Sequence, residues 1–261
     1  HPSDPATSTY TGKSHLVTDR ETNEVYTYNQ GTEILPPASL TKLYVIDYAM
    51  SLCELEEEVM VDAEAMGLVK PYSSMASIQN KVYTVENLVA GMLIPSGNDA
   101  AYALASYVGG KLNNRAATAE ERIRSSLEGL NSYLKRNGFT DTVIYDPSGY
   151  DYESRTSVAD LKRVTDHLLE SQWFRDTVSQ HTYTAYLPDG SFHEWENTNE
   201  FLDPESPYYN INVKGVKTGS LEYDYHLVVL YQQHGKEYLI ISLGSASDEL
   251  RNEDVTFVLR T

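Results

Sequence analysis

The run Tyr225-His226-Leu227-Val228-Val229-Leu230-Tyr231-Gln232-Gln233-His234-Gly235-Lys236-Glu237-Tyr238-Leu239-Ile240-Ile241-Ser242-Leu243 decides the fold. Two β-forming stretches, Tyr225 to Tyr231 and Tyr238 to Leu243, flank His234-Gly235, a tight hairpin signal. At the other end of the chain, Lys13 to Tyr28 reads as strand, turn, strand. His15 and Val17, then Val25, Tyr26 and Tyr28, are the β-formers, and Asp19 to Asn23 is the turn. The middle of the chain is helical. The two ends form one antiparallel sheet only if the chain leaves it, builds helices and returns. This predicts an α+β fold over residues 1–261 as a single domain. The sheet lobe comes from about 13–35 and 180–261, and an inserted helical lobe from about 39–179.

Within the helical part, Pro36-Pro37 stops the N-terminal strands, and a helix is expected from about Ser39 to Leu55. Leu43, Ile46, Met50 and Cys53 recur at three- and four-residue spacing, and Ser39 stands where a capping hydroxyl is favoured. Thr84 caps a second helix through Leu93, with Glu86 in its first turn. Pro95-Ser96-Gly97 breaks it. A small-residue helix resumes at Asn98, and Gly109-Gly110 should end it. Ala116 to Asn137 is amphipathic and closed by Gly138. Ser157 to Glu170 forms another helix, with Ser157 as cap and Asp160 three residues on. Pro188-Asp189-Gly190 marks a hairpin between Tyr183 to Tyr186 and Phe192 to Trp195. Leu250 to Leu259 is a closing helix.

Composition excludes several classes. The chain has 41% apolar and 22% charged residues, ordinary globular usage that rules out a disordered or collagen-like chain. No apolar run approaches the ~18 residues of a membrane span. The net charge is −18, so the surface repels phosphate backbones and nucleic acid is not an expected partner. The single cysteine, Cys53, excludes an intramolecular disulfide and reads as a small buried apolar side chain. The seven histidines show no metal-ligand spacing such as HExxH and read as structural or solvated, so no metal is expected. The opening His1-Pro2-Ser3-Asp4-Pro5-Ala6 shows no signal peptide and reads as a trimmed or engineered start. The tyrosines read as amphipathic packing rather than glycan stacking.

Three short motifs carry chemistry. In Ser39-Leu40-Thr41-Lys42, positions i and i+3 share a helix face, so a neutral Lys42 amine can take the proton of the Ser39 hydroxyl. Ser96-Gly97-Asn98 sits between two helices, where Ser96 can relay a proton and Asn98 can hydrogen-bond a substrate amide. Lys217-Thr218-Gly219 offers a cation and a hydroxyl for a carboxylate, and its glycine allows a substrate backbone close. Each alone is common: a cap and a solvated lysine, a glycine turn, a strand entry. Together, and in this order, they are distinctive.

The set resembles the SxxK, SxN, KTG signature of penicillin-recognising serine enzymes. The flanks Pro36 to Lys42, Ile94 to Ala101, Tyr145 to Tyr150, Val158 to Leu161 and Val213 to Gly219 are similar to the low-molecular-weight penicillin-binding proteins of the D-alanyl-D-alanine carboxypeptidase family. The resemblance runs from about residue 13 to 260. It implies a penicillin-binding protein/β-lactamase-like fold, a peptidoglycan stem peptide as substrate, β-lactams as covalent inhibitors, and no cofactor. It implies Ser39 as the acylated nucleophile, Lys42 as its base and Ser96 as the relay to the leaving amine. Asn98 would orient the substrate amide, and Lys217 and Thr218 would hold its carboxylate. The N–H groups of Ser39 and Ser220 would form the oxyanion hole. Lys217 is expected to be the second cation that keeps Lys42 neutral. An extracytoplasmic location at the cell wall follows, and the acidic, tyrosine-rich composition leans Gram-positive. The family usually continues with Thr two residues after the glycine and then Ala-Gly. This chain reads Ser220-Leu221-Glu222-Tyr223-Asp224-Tyr225-His226 instead.

Two other readings compete. A class A-like β-lactamase needs a deacylating glutamate in Glu-x-x-Leu-Asn. Glu128-Gly129-Leu130-Asn131 is one residue short. A non-catalytic wall-binding or β-lactam-sensing module would be expected to have lost a motif, and all three are intact.

Overall fold

The computed structural model describes residues 10–26 and 33–260. In chain order the elements are β1 (Ser14–Asp19), β2 (Val25–Tyr26), α1 (Thr41–Leu52), β3 (Glu58–Met60), α2 (Ala63–Met66), β4 (Val82–Thr84), α3 (Val85–Leu93), α4 (Asn98–Leu112), α5 (Ala119–Arg136), α6 (Val158–Leu168), α7 (Gln172–Val178), β5 (Thr182–Tyr186), β6 (Phe192–Glu196), β7 (Val213–Leu221), β8 (Asp224–Gln233), β9 (Lys236–Ser245) and α8 (Asp248–Arg260). The opening His1 to Ala6 and Tyr28 lie outside the described residues.

A five-stranded antiparallel sheet has the order β2-β1-β9-β8-β7, so the two ends of the chain do meet. Ser14 pairs with Leu243 and Asp19 with Tyr238. The β8–β9 turn is two residues long, with positive φ at His234 (54°) and Gly235 (75°), the geometry that follows right-twisted strands. The β8 run Leu227 to Leu230 is unbroken because both sheet faces are covered. Val228 and Leu230 enter the main core with the helices. Leu227, Val229 and Tyr231 point to the opposite face, where α8 packs Val255 and Val258.

Helix α1 runs through the main core and is buried on every side from Thr41 to Ala49, Lys42 and Asp47 included. The expected stripe is therefore too narrow a description, and Cys53 lies buried just beyond the helix end. Thr84 and Asn87 form a reciprocal capping box on α3, and Ser157 accepts from the Asp160 N–H on α6. Gly138 follows α5 with φ 79°.

Two expectations are corrected. Gly109-Gly110 does not end α4, which continues to Leu112. A Cβ on Gly109 would lie 1.7 Å from the Arg122 carbonyl oxygen, so this glycine lets α4 touch the α5 backbone rather than stopping the helix. The β5–β6 hairpin forms a separate two-stranded sheet and does not join the five-stranded one. Its Trp195 donates to the Ala76 carbonyl at 2.8 Å and packs against Gly91 of α3, which draws the hairpin toward the helices.

Candidate active site

Ser39 stands at the junction of strand-breaking prolines and a buried helix. Ala38 has φ 50°, a conformation unfavourable for a residue with a Cβ, and a short 3-10 turn (Ala38–Leu40) leads into α1. Ser39 is not a helix cap, since neither this turn nor α1 has a side-chain cap bond. Instead Ser39 Oγ lies 2.8 Å from Lys42 Nζ. Two contacts hold the segment. Gly149, at φ 91°, packs so closely that a Cβ would sit 1.7 Å from the Ala38 carbonyl oxygen. His226 of β8 donates from Nε2 to the Pro36 carbonyl at 2.8 Å and accepts the Gly244 N–H at Nδ1 at 3.0 Å.

Lys42 is fully buried, and its Nζ is also 2.8 Å from Asn98 Oδ1, 3.2 Å from Ser96 Oγ and 3.3 Å from the Ser148 carbonyl. Burial pushes its pKa down to about 7, against the opposing pull of Asp146 and Asp99. Those carboxylates are occupied elsewhere. Asp146 accepts the N–H groups of Ser148, Gly149 and Asp151 and the hydroxyls of Ser148 and Tyr102. Asp99 accepts the N–H groups of Ala76, Ile78 and Ala100. They shape the walls of the site while leaving Lys42 hydrogen-bonded, among the described residues, only to neutral groups.

Ser96 occupies the α3–α4 turn with φ 59°. Lys217 Nζ reaches its Oγ at 2.8 Å. Burial pushes Lys217 well below its ordinary value, with further lowering from Lys42 and Arg251. Lys217 was expected to act on Lys42. Burial is the main cause for both lysines, and the repulsion between them bears on Lys217. Two ammonium groups sharing one serine hydroxyl in a dry site disfavour each other.

Strand β7 brings Thr218, Gly219 and Ser220 to the same cleft. A Cβ on Gly219 would lie 3.2 Å from the Ser39 nitrogen and 3.1 Å from that of Leu40, so the glycine sets the strand tight against the serine. Ser220 is exposed at the mouth. Two further residues were not identified from the sequence. Thr198 Oγ1 lies 2.5 Å from Thr218 Oγ1. Arg251 of α8 lies 6% exposed behind β7, with Nη1 3.5 Å from the Gly219 carbonyl and an ion pair to Asp248. Asn197-Thr198-Asn199 and an arginine on a closing helix carry no local signal for such a place.

Glu128, the residue a β-lactamase reading would need, is exposed on α5. Asn131 beside it bonds the Ile144 N–H and carbonyl, supporting the approach to Asp146.

A serine-lysine pair at the head of a buried helix, facing the last strand of an antiparallel sheet, defines a class: the serine enzymes that recognise penicillin. Residues 2–244 match the D-alanyl-D-alanine carboxypeptidase family, peptidase family S11, and the chain belongs to it. It is 30% identical over 197 residues to the D-alanyl-D-alanine carboxypeptidase of Streptomyces sp. strain K15, covering 73% of this chain and 64% of that protein. A D-alanyl-D-alanine carboxypeptidase of Bacillus subtilis is 26% identical over 262 residues, covering 95% of this chain and 61% of that one. The chain thus spans less than two thirds of the length of these curated relatives. The crystal structure of the Streptomyces K15 DD-transpeptidase shares the fold at a TM-score of 0.82 and 26% identity, covering 95% of both chains. Ampicillin-bound penicillin-binding protein D2 of Listeria monocytogenes, at 22% identity and a TM-score of 0.74, shares it too.

Proposed function

We propose that residues 1–261 act as one catalytic domain, a serine-type carboxypeptidase that removes the terminal D-alanine from peptidoglycan stem pentapeptides. The observation that carries this reading is the buried Lys42 amine, poised near neutrality and 2.8 Å from Ser39 Oγ.

The substrate carboxylate docks on Lys217 and Thr218. Its charge stabilises protonated Lys217, and that cation in turn favours neutral Lys42. Neutral Lys42 takes the Ser39 proton, and Oγ attacks the carbonyl carbon of the penultimate D-alanine. The N–H groups of Ser39 and Ser220 receive the oxyanion, each worth about 3 kcal/mol by analogy with such donors. Asn98 Oδ1 is engaged by Lys42, which leaves Nδ2 to donate to the substrate amide carbonyl. Ser96 passes a proton to the leaving nitrogen, the peptide C–N bond breaks and D-alanine departs. Water then attacks the Ser39 ester and restores the hydroxyl. No step calls for a cofactor. Arg251 supports the carboxylate reading by adding positive charge behind β7.

A second reading concerns the acceptor. The K15 relative is named both a carboxypeptidase and a DD-transpeptidase, so an amine can replace water in the last step. The class A-like β-lactamase reading loses support because Glu128 is exposed on α5. The sensing-module reading loses support because the Ser39–Lys42–Ser96 contacts are complete. Action on peptidoglycan and acylation by penicillins imply an extracytoplasmic site of work. Relatives from Bacillus subtilis and Escherichia coli match at the same 26% identity, so similarity does not favour a Gram-positive wall.

The test incubates the protein with a peptide ending in D-Ala-D-Ala, with and without glycine as acceptor. Free D-alanine and the shortened peptide are expected, both absent with Ser39→Ala. A glycine adduct in place of the shortened peptide would make it a transpeptidase. No D-alanine from folded wild type would overturn the reading.

A further inference from the structure

Outside the serine cleft, three side chains from separate places converge. His181 immediately precedes β5, Glu196 ends β6, and Asp203 follows the short 3-10 turn Glu200–Leu202. His181 Nε2 lies 3.5 Å from Glu196 Oε1 and 3.7 Å from Asp203 Oδ1, and the three ligand atoms all fall within 4.8 Å of one another. These separations exceed the 2.7–3.2 Å of a good N–H···O bond. The two distances from Nε2 are close to the edge of a metal tetrahedron, since zinc bonds of about 2.1 Å place tetrahedral ligands roughly 3.4 Å apart. The donors come from three separate segments and one of them is an imidazole, so the cluster is more than a patch of acidic side chains.

We propose that His181, Glu196 and Asp203 form a binding site for one divalent transition-metal ion of the zinc class, with water completing its coordination. A neutral imidazole and two carboxylates are a zinc donor set, whereas calcium takes six to eight oxygen ligands and magnesium favours an octahedral shell of oxygens. Glu196 and Asp203 bracket the segment that carries Thr198 against Thr218. An ion joining them would tie down both ends of that segment. It would also join them to His181, whose carbonyl already accepts the Asn197 N–H at 2.7 Å. The ion takes no part in acyl transfer, so this site stands or falls separately from the proposed activity.

The test is calorimetric titration of chelator-treated, full-length protein with zinc chloride, followed by thermal melting with and without the metal. Saturable binding of one zinc per chain in the micromolar range is expected, with a melting temperature raised by several degrees. Asp203→Asn keeps the acceptor that holds the Glu205 N–H. It should therefore fold, label with penicillin as wild type does, and bind zinc at least tenfold more weakly. His181→Ala should remove the binding, and His193→Gln should leave it unchanged. Failure of zinc to saturate the wild type, tighter binding of magnesium or calcium than of zinc, or zinc binding that survives both Asp203→Asn and His181→Ala would overturn the proposal.

Discussion

Lys217 Nζ lies 2.8 Å from Ser96 Oγ, although 121 residues separate them in the chain. The contact joins the last strand of the sheet to the turn between two helices, and so closes the cleft around Lys42. It also places a buried amine where, on the proposed reading, a substrate carboxylate would supply the charge that keeps it protonated.

Lys217→Ala should lower kcat/KM for D-alanine release by at least about thirtyfold, since losing one partner of a buried charged contact costs ~2–5 kcal/mol. Wild type should discriminate against a peptide whose C-terminus is amidated, and the variant should lose most of that discrimination. Equal losses on both peptides would make the lysine structural rather than a carboxylate acceptor.

Acylation should follow the deprotonation of Lys42. The base works only when neutral, and its pKa is lowered to about 7, so the rate rises with pH through that region. Two pH units below that value, the neutral fraction is only about 1%. Second-order acylation by penicillin, measured from pH 5 to 9, should show this rising limb. Lys42→Arg should abolish it, because a guanidinium stays charged.

His226 should make the fold acid-labile. Burial pushes its pKa down to about 4 from the ordinary 6.5, so the unfolded chain binds more protons between those values. The neutral ring donates to Pro36 and accepts from Gly244, and protonation at Nδ1 removes that acceptor. The sign is a loss of stability as pH falls from 6.5 to 4, reaching about 2–3 kcal/mol by pH 4.5. His15 is lowered the same way and adds to the total. Urea unfolding at pH 7 and 4.5 should show a smaller acid loss in His226→Gln than in wild type. An identical loss in the two proteins would remove His226 as a cause.

Much of this site was legible because its chemistry is local. Ser39 and Lys42 are one helical turn apart, and Ser96 and Lys217 sit in short motifs of their own. Caps such as Thr84 and Ser157 read well for the same reason. What the sequence concealed depends on packing between remote segments. Thr198 gains meaning only from the fold that sets it on Thr218, and Arg251 only from α8 crossing behind β7. The strands β3 and β4 are three residues each, too short for a periodic signal. Gly109 looks like a helix stop and is a contact point, because a glycine's need for space cannot be told from its freedom to turn without its neighbour Arg122. The β5–β6 hairpin is legible from Pro188-Asp189-Gly190, but Trp195 and Ala76 decide where it docks.

The acyl-enzyme formed with penicillin should be long-lived, although the one formed with peptide turns over. With peptide, D-alanine leaves and water enters where it stood. With penicillin, opening the β-lactam ring leaves the departing nitrogen tethered through the thiazolidine, so that approach stays blocked. Rapid hydrolysis then requires a second base that activates water from another side, an effect worth ~10²–10⁴ in rate. The carboxylates acting on Lys42, Asp146 and Asp99, each accept three backbone N–H groups, and Asp146 two hydroxyls as well. Glu128 is exposed on α5. None of the three is available to that water. Intact-protein mass spectrometry after one equivalent of penicillin should therefore show an adduct lasting minutes or longer, mapping to Ser39 after proteolysis and absent in Ser39→Ala. Unmodified enzyme with many turnovers of hydrolysed penicillin within seconds would show that a deacylating base is present after all and would restore the β-lactamase reading.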